Sequence, residues 1–180
     1  MMTSKGTLLL IIDVQGRLAQ SVFQPAVLEN NISKLIRSCA ILEVPVLVTE
    51  QYPKGLGHTI DSLKELLPDV VPVEKLSFSC CGNPEFMRKL RSYKRNDILV
   101  AGMETHVCVY QTAVDLVEFG YNVHLVTDAV SSRTEENKLL GIRCIEKSGA
   151  TLTSTEMAVF EILHLAEGDR FKAISKIIKE

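Results

Sequence analysis

Short runs of apolar residues alternate along this chain with longer stretches of amphipathic, helical pattern. The apolar runs are nearly continuous in Val, Ile and Leu, as in strands that are buried on both faces of a sheet. Each run ends in a polar or glycine-containing segment. The pattern predicts strands at 7–13, 44–50, 70–76, 97–102, 122–128 and 150–154.

The remaining stretches predict helices at 25–42, 60–67, 84–92, 106–119, 134–148, 156–164 and 169–179. Asn83 followed by Pro84 is typical of a helix start, where a capping side chain precedes a proline. Gly120 after Phe119 is typical of a helix end. Strand and helix alternate, which predicts an α/β protein with a parallel sheet covered on both faces. We expect residues 1–180 to form a single domain.

Composition excludes several classes of protein. Hydrophobic residues make up 46% of the chain and charged residues 23%, which is ordinary for a globular protein. The net charge is -2, so we expect no nucleic-acid partner, and no apolar run is long enough to span a membrane. Five cysteines and no secretory leader pattern predict reduced thiols in the cytoplasm, with an organellar location left open.

Candidate chemistry lies where the predicted strands end, because open parallel sheets bind ligands beyond the carboxyl ends of their strands. Asp13 ends the first strand, Lys75 ends the third, and Cys108 follows the fourth. In the first turn of a helix, free backbone N–H groups and the helix dipole would lower the pKa of the Cys108 thiol.

Each of these residues alone has an ordinary structural explanation. Asp13 could cap a loop, Lys75 could be a solvated charge, and Cys108 could fill the core. Together they supply a base, a cation and a nucleophile, which a thiol-dependent hydrolase needs.

The motifs around these residues occur together in one known family. LLIIDVQ contains Asp13, EKLSFS contains Lys75, GMETHVCVYQTA contains Cys108, and VTDAVSSR follows in the same order. With TEQYPKGLG after the second strand and STEM near the C-terminus, the chain resembles the isochorismatase-like cysteine hydrolases, and among them the isochorismatase domain-containing proteins. The resemblance covers residues 7 to about 165.

The resemblance implies a fold and roles for the residues. The fold would be a three-layer αβα, Rossmann-like sandwich with six parallel strands in the order 3-2-1-4-5-6. Cys108 would attack the substrate, Asp13 would be the general base, and Lys75 would support the thiolate and orient the carboxylate. Glu104–Thr105 would be a non-proline cis peptide bond that aims backbone N–H groups, those of Thr105 and Cys108, into an oxyanion hole.

The sheet order that the resemblance implies adds a geometric requirement. The third strand would lie at the edge, two strand spacings or about 10 Å from the first. Lys75 can then reach Asp13 only if the chain bends inward after the third strand.

Two features separate the chain from better-known relatives. Nicotinamidases of the family bind a metal through an Asp-x-His-x-His-like segment after the second strand. This chain has Glu50 and only His58 there, at a different spacing, so we expect no metal, no cofactor and no nicotinamidase activity. Glu104 stands where many family amidases have a small apolar residue. It would raise the pKa of Cys108 unless it is turned away or paired with a loop or a partner subunit.

The thiol favours acyl chemistry over the vinyl ether cleavage of true isochorismatases. We expect a metal-independent cysteine hydrolase that cleaves an amide-type carbon–nitrogen bond of a small molecule through a thioester. A homo-oligomer is expected, a dimer or a larger even-numbered assembly. Candidate pocket residues are Gln15, Phe23, Tyr52, Phe78 and His106.

Two further functions are compatible with the sequence. One is a catalytically silent oligomeric scaffold of the same fold. The other is a redox-sensing protein in which Cys80 or Cys81 resolves oxidised Cys108.

Overall fold

The computed structural model describes residues 1–180 and contains one six-stranded sheet in which every strand pair is parallel. The strand order is β3-β2-β1-β4-β5-β6, as the resemblance implies. All six predicted strands are confirmed, although β3 is shorter than predicted and β5 is longer. The strands are β1 (Thr7–Ile12), β2 (Val46–Gln51), β3 (Val73–Lys75), β4 (Asp97–Met103), β5 (Asn122–Ser131) and β6 (Thr151–Thr153).

Nine helices accompany the sheet. The sequence pattern does not predict the four-residue helices α1 and α3, and α4 is shorter than the predicted helix 60–67. None of the helices combines the length and the apolar character that a membrane crossing requires. The helices are α1 (Leu18–Ser21), α2 (Pro25–Leu42), α3 (Pro53–Leu56), α4 (Asp61–Lys64), α5 (Pro84–Ser92), α6 (Tyr110–Glu118), α7 (Glu135–Lys147), α8 (Thr155–Leu163) and α9 (Gly168–Lys179).

Alternate residues of β1 face two separate helical layers. Leu9 and Ile11 belong to a buried cluster with residues of α2, α8 and α9. Leu8, Leu10 and Ile12 belong to a second buried cluster with residues of α5, α6 and α7. Strands buried on both faces explain the nearly continuous apolar runs, and the architecture is the expected three-layer αβα sandwich.

The predicted caps are confirmed. The Asn83 side chain accepts hydrogen bonds from two backbone N–H groups in the first turn of α5. Gly120 has a φ of 84° after the end of α6. Its N–H donates to the Val117 carbonyl at 2.9 Å, and that of Tyr121 donates to the Leu116 carbonyl at 3.0 Å. This pair of bonds is a Schellman motif, which stops α6 and turns the chain toward β5.

The ends of β1 and β4 approach each other closely at Gly102. Gly102 has a φ of 123°, and a Cβ atom there would lie 2.2 Å from the Ile12 carbonyl oxygen. Only glycine allows this approach. It places the segment after β4, which carries Cys108, beside Asp13.

Candidate active site

Asp13 comes directly after β1 and is buried, with a φ of 53°. Both of its carboxylate oxygens have partners. The Thr49 hydroxyl donates to Oδ1 at 2.7 Å, and Lys75 Nζ donates to Oδ2 at 2.6 Å. A buried carboxylate requires such partners, and these two fix its orientation at the carboxyl ends of three adjacent strands.

Lys75 reaches this carboxylate from the edge strand β3, and its side chain is 0% exposed. Its Nζ also donates to Gln51 Oε1 at 2.8 Å and to the backbone carbonyls of Ser77 at 3.2 Å and Phe78 at 3.0 Å. The four residues after β3 form a bend, so the inward turn that the sheet order requires is present. The bend supplies the ammonium group with main-chain acceptors.

Cys108 lies in a π-helical turn, Thr105–Val109, that precedes α6. It is 7% exposed, and its thiol is near enough to the Asp13 carboxylate to interact with it. Burial raises the pKa of the Cys108 thiol to about 12, with a further increase from the Asp13 charge and an opposing effect from Lys75. The prediction of a lowered pKa is therefore wrong. In this enclosed turn, lost hydration and a neighbouring carboxylate outweigh the lysine.

The cis peptide bond is Met103–Glu104, one bond before the predicted Glu104–Thr105 position. The prediction is wrong by one residue: the cis bond joins the last residue of β4 to Glu104, and Thr105 begins the π-helical turn. Glu104 Oε1 accepts a hydrogen bond from Arg133 Nε at 2.7 Å. The Glu104 side chain is 13% exposed and that of Arg133 is 59% exposed. Glu104 is therefore paired with a loop of its own chain.

The predicted pocket residues lie in different settings. Gln15 is buried, and its side-chain amide bonds to the backbone of Gln51 and Gly57. Gln15 therefore braces the loop after β2 and presents almost no surface to a substrate. His106 Nδ1 lies 2.9 Å from Ser132 Oγ, at the start of the π-helical turn.

The three aromatic candidates are divided between two sides of the site. The backbone N–H of Phe23 donates to the Ser132 carbonyl at 2.7 Å, which places Phe23 on the His106 side. Tyr52 and Phe78 are more than half exposed and lie on the Lys75 side. Tyr52 lines a cavity of about 540 Å³ that includes Lys75. Neither this cavity nor another of about 560 Å³ beside Glu50 is lined by Asp13 or Cys108.

Glu50 is committed to a loop of its own chain. It accepts hydrogen bonds from the Thr59 N–H at 2.7 Å and hydroxyl at 2.8 Å, and it pairs with His58 Nδ1 at 2.9 Å. Burial alone would raise the pKa of Glu50, but the bonds from Thr59 and His58 lower it on balance. No group of three or more His, Cys, Asp or Glu side chains is arranged to hold a metal ion.

Sequence reasoning missed Thr49 and Gln51 of β2. Their side chains contact Asp13 and Lys75, because β2 lies between the strands that carry those two residues. The sequence did contain one signal for both residues, because Thr49 and Gln51 flank Glu50 at the predicted end of the second strand. Cys80 extends the same contact, since its Sγ lies 3.7 Å from Thr49 Oγ1.

Comparison with known proteins gives concordant matches. The isochorismatase domain profile matches residues 7–157. A secreted isochorismatase effector of Phytophthora sojae is 40% identical over 179 residues, or 97% of this chain and 85% of that protein. Isochorismatase domain-containing protein 2 of Danio rerio is 34% identical over 178 residues, or 98% of this chain and 89% of that protein.

A solved structure extends the match to three dimensions. The MAR1 ribonuclease of Caenorhabditis elegans superposes with a TM-score of 0.93 at 36% identity. The superposition covers 99% of this chain and 92% of that one. Sequence and structure therefore point to the same group of proteins.

Proposed function

The chain belongs to the isochorismatase family of hydrolases, and from this premise we propose that it is a cysteine hydrolase acting through Cys108. The bond cleaved is an amide-type carbon–nitrogen bond in a small molecule. One observation carries the proposal: the buried ion pair of Asp13 and Lys75 lies against the Cys108 thiol. Such a set matches a nucleophile, its base and a cation that holds the base in place.

The high pKa of Cys108 supports a particular order of events. The resting thiol is neutral, so its proton moves to the Asp13 carboxylate as Sγ attacks the substrate carbonyl carbon. This step moves the negative charge from the Asp13 carboxylate to the carbonyl oxygen, and Lys75 beside Asp13 stabilises it electrostatically. In the proposal, backbone N–H groups of Thr105 and Cys108 donate to that oxygen.

The second half of the reaction returns each group to its starting state. The carbon–nitrogen bond breaks, the departing amine takes the proton from Asp13, and a thioester on Cys108 remains. Asp13 then removes a proton from water, which attacks the thioester. The acid is released, and Sγ recovers a proton from Asp13.

We propose that this chemistry uses no metal. The donor set after β2 supports this, since Glu50 already accepts from Thr59 and His58. A metal site of the nicotinamidase kind needs further ligands that the segment lacks.

The name of the C. elegans protein makes ribonuclease activity a second candidate to test. The net charge of -2 argues against it, because RNA binding draws most of its affinity from basic groups on phosphates. We therefore keep the prediction of a small-molecule substrate and of no nucleic-acid partner.

Redox sensing and a purely structural role receive less support from the site. Burial raises the pKa of Cys80 to about 11 and that of Cys81 to about 12, which disfavours the thiolates that redox sensing requires. A scaffold has no use for a buried lysine and aspartate beside a thiol. Self-association and a cytoplasmic location remain predictions, and the former finds support in exposed Phe119, Leu139 and Leu140.

The test is acylation by p-nitrophenyl acetate, followed by release of nitrophenolate and by mass spectrometry of each cysteine peptide. We expect Cys108 to be acylated much faster than the half-buried Cys144, and Cys108→Ser to abolish the reaction. Cys144→Ser is the matched control and should leave the rate unchanged.

The same proteins are then given a panel of small primary amides and an RNA oligonucleotide. Ammonia release that depends on Cys108 supports the proposal. Acylation of Cys108 no faster than that of Cys144, or RNA cleavage that survives Cys108→Ser, rejects it.

A further inference from the structure

The helix α7 contacts the π-helical turn of Cys108 through a glycine. Gly141 is buried in the middle of α7. A Cβ atom there would lie 2.8 Å from the carbonyl carbon and oxygen of Thr105 and 2.9 Å from the His106 nitrogen. These are main-chain atoms, so no side-chain rotation could relieve the overlap. Any larger residue at 141 would have to displace either α7 or the turn.

Glycine is an unfavourable choice for this position by local criteria. A glycine inside a helix is less stable than an alanine, because it has more freedom in the unfolded chain. Thr105, which Gly141 contacts, is unfavourable as well, since its Oγ1 is fully buried without a hydrogen-bond partner. A helix-interior glycine and an unsatisfied buried hydroxyl therefore meet at one contact. Such locally unfavourable choices are expected at functional sites.

We infer that Gly141 is a positioning residue that sets the place of the Thr105–His106 peptide, and with it the backbone donors that face the substrate oxygen. The inference rests on the proposed function. Gly141 touches no reacting atom. It acts through the π-helical turn, whose other end is tied by the N–H groups of Val107 and Val109 to the Glu104 carbonyl.

The position of the turn affects one step more than others. Backbone donors stabilise an oxyanion only within hydrogen-bonding distance, so a displacement of a few tenths of an ångström weakens them. The ionisation of Cys108 depends instead on burial, Asp13 and Lys75. A change at Gly141 should therefore slow reactions that form an oxyanion and spare those that need only the thiol.

Two probes separate these effects. p-Nitrophenyl acetate acylates Cys108 through an oxyanion, whereas iodoacetamide alkylates the sulfur by displacement of iodide without one. For Gly141→Ala we expect acylation of Cys108 to fall at least about tenfold, with alkylation changed by less than about twofold. The control is Glu146→Ala, an exposed position on the same helix, which should change neither rate.

Ile145→Val provides a second test in case the Gly141→Ala protein does not fold. It trims the buried face of α7 by one methyl group and lets the helix settle differently, a change that cores usually tolerate. It should lower acylation relative to alkylation in the same sense, by a smaller factor. Unchanged ratios, or equal losses with both probes, overturn the inference.

Failure of the proposed function is recognised separately. It appears as a wild-type protein in which p-nitrophenyl acetate does not select Cys108. Hydrogen exchange then tests the contact itself, since Gly141→Ala should speed exchange of the 105–109 amides relative to Glu146→Ala. Equal exchange in the two variants would also overturn the role of Gly141.

Discussion

The two halves of the candidate site differ in how far hydrogen bonds and packing hold them. Hydrogen bonds hold the Asp13–Lys75 half, where every polar atom of the pair meets a side chain or a backbone carbonyl. The Cys108 half has hydrogen bonds within its turn and from His106 to Ser132, but it depends more on packing, because the Thr105 hydroxyl has no partner and the main chain of the turn lies directly against Gly141 of α7.

This difference follows from what each half must do. A buried charge pair needs partners that fix its direction and offset its lost hydration. A neutral thiol needs little hydrogen bonding, but its distance from the carboxylate must be fixed. Removal of polar groups should therefore damage the first half, and changes of volume should damage the second.

The largest effect is expected from Lys75→Ala, which removes the centre of the hydrogen-bonded half. It leaves the buried Asp13 carboxylate, and the less buried Gln51 side chain and two backbone carbonyls, without the lysine donor. Breaking a buried ion pair costs about 3–5 kcal/mol, and we expect the free energy of unfolding in urea to fall by that amount. Lys54→Ala, at an exposed position, is the control. A loss as small as that of the control would show that hydrogen bonds do not hold this half.

Asp13→Asn should have a smaller effect, and it tests the coupling between the halves. Asp13 raises the pKa of Cys108, so its neutralisation should lower that pKa and speed alkylation by iodoacetamide at pH 8. Each pKa unit corresponds to about a tenfold change in thiolate. Acylation should fall relative to alkylation, because the proposed base that takes the thiol proton during attack is gone. Asp69→Asn is an exposed control.

Asp13→Asn should also change how the free energy of unfolding depends on pH. The pKa of about 12 in the folded protein exceeds the usual 9.0 of the free thiol. The neutral thiol therefore stabilises the fold fully below about pH 9. This contribution declines as the pH rises toward 12. Asp13→Asn should reduce that alkaline decline, and slower alkylation or a steeper decline would contradict the electrostatic coupling.

The smallest effect is expected from Thr49→Val, which keeps the volume and removes one donor to Asp13. We expect about 1 kcal/mol less stability and about tenfold slower acylation of Cys108. Thr49→Ser keeps the hydroxyl and should behave like wild type in acylation. If valine and serine lower acylation equally, packing by Thr49 matters and its hydrogen bond does not.

The same contrast explains how much of the molecule could be predicted from its sequence. Apolar runs predict the strands, and their ends carry Asp13, Lys75 and Cys108, so residue type and strand position suffice to propose the triad. Thr49 contacts Asp13 because β2 lies beside β1, between β1 and β3. This strand order cannot be read from the types of the residues themselves.

Predictions that depended on burial or on local chain direction fared less well. The pKa of Cys108 rises because the turn encloses the thiol, a property of packing between distant segments. The cis bond falls at Met103–Glu104, directly after the last residue of β4 and one bond before the predicted position. Gln15 follows a strand end, as a pocket residue would, yet its amide is used by backbone groups of the loop after β2.

The backbone carbonyls of Ser77 and Phe78 that hold Lys75 leave room for evolutionary change. Every amino acid carries a carbonyl, so the ammonium group keeps these acceptors whatever side chains stand at 77 and 78. Leu76 and Phe78 are 78% and 55% exposed, and their side chains are free to drift between lineages or to be randomised in a library. The surroundings of the site can thus diversify while the charge beneath stays in place.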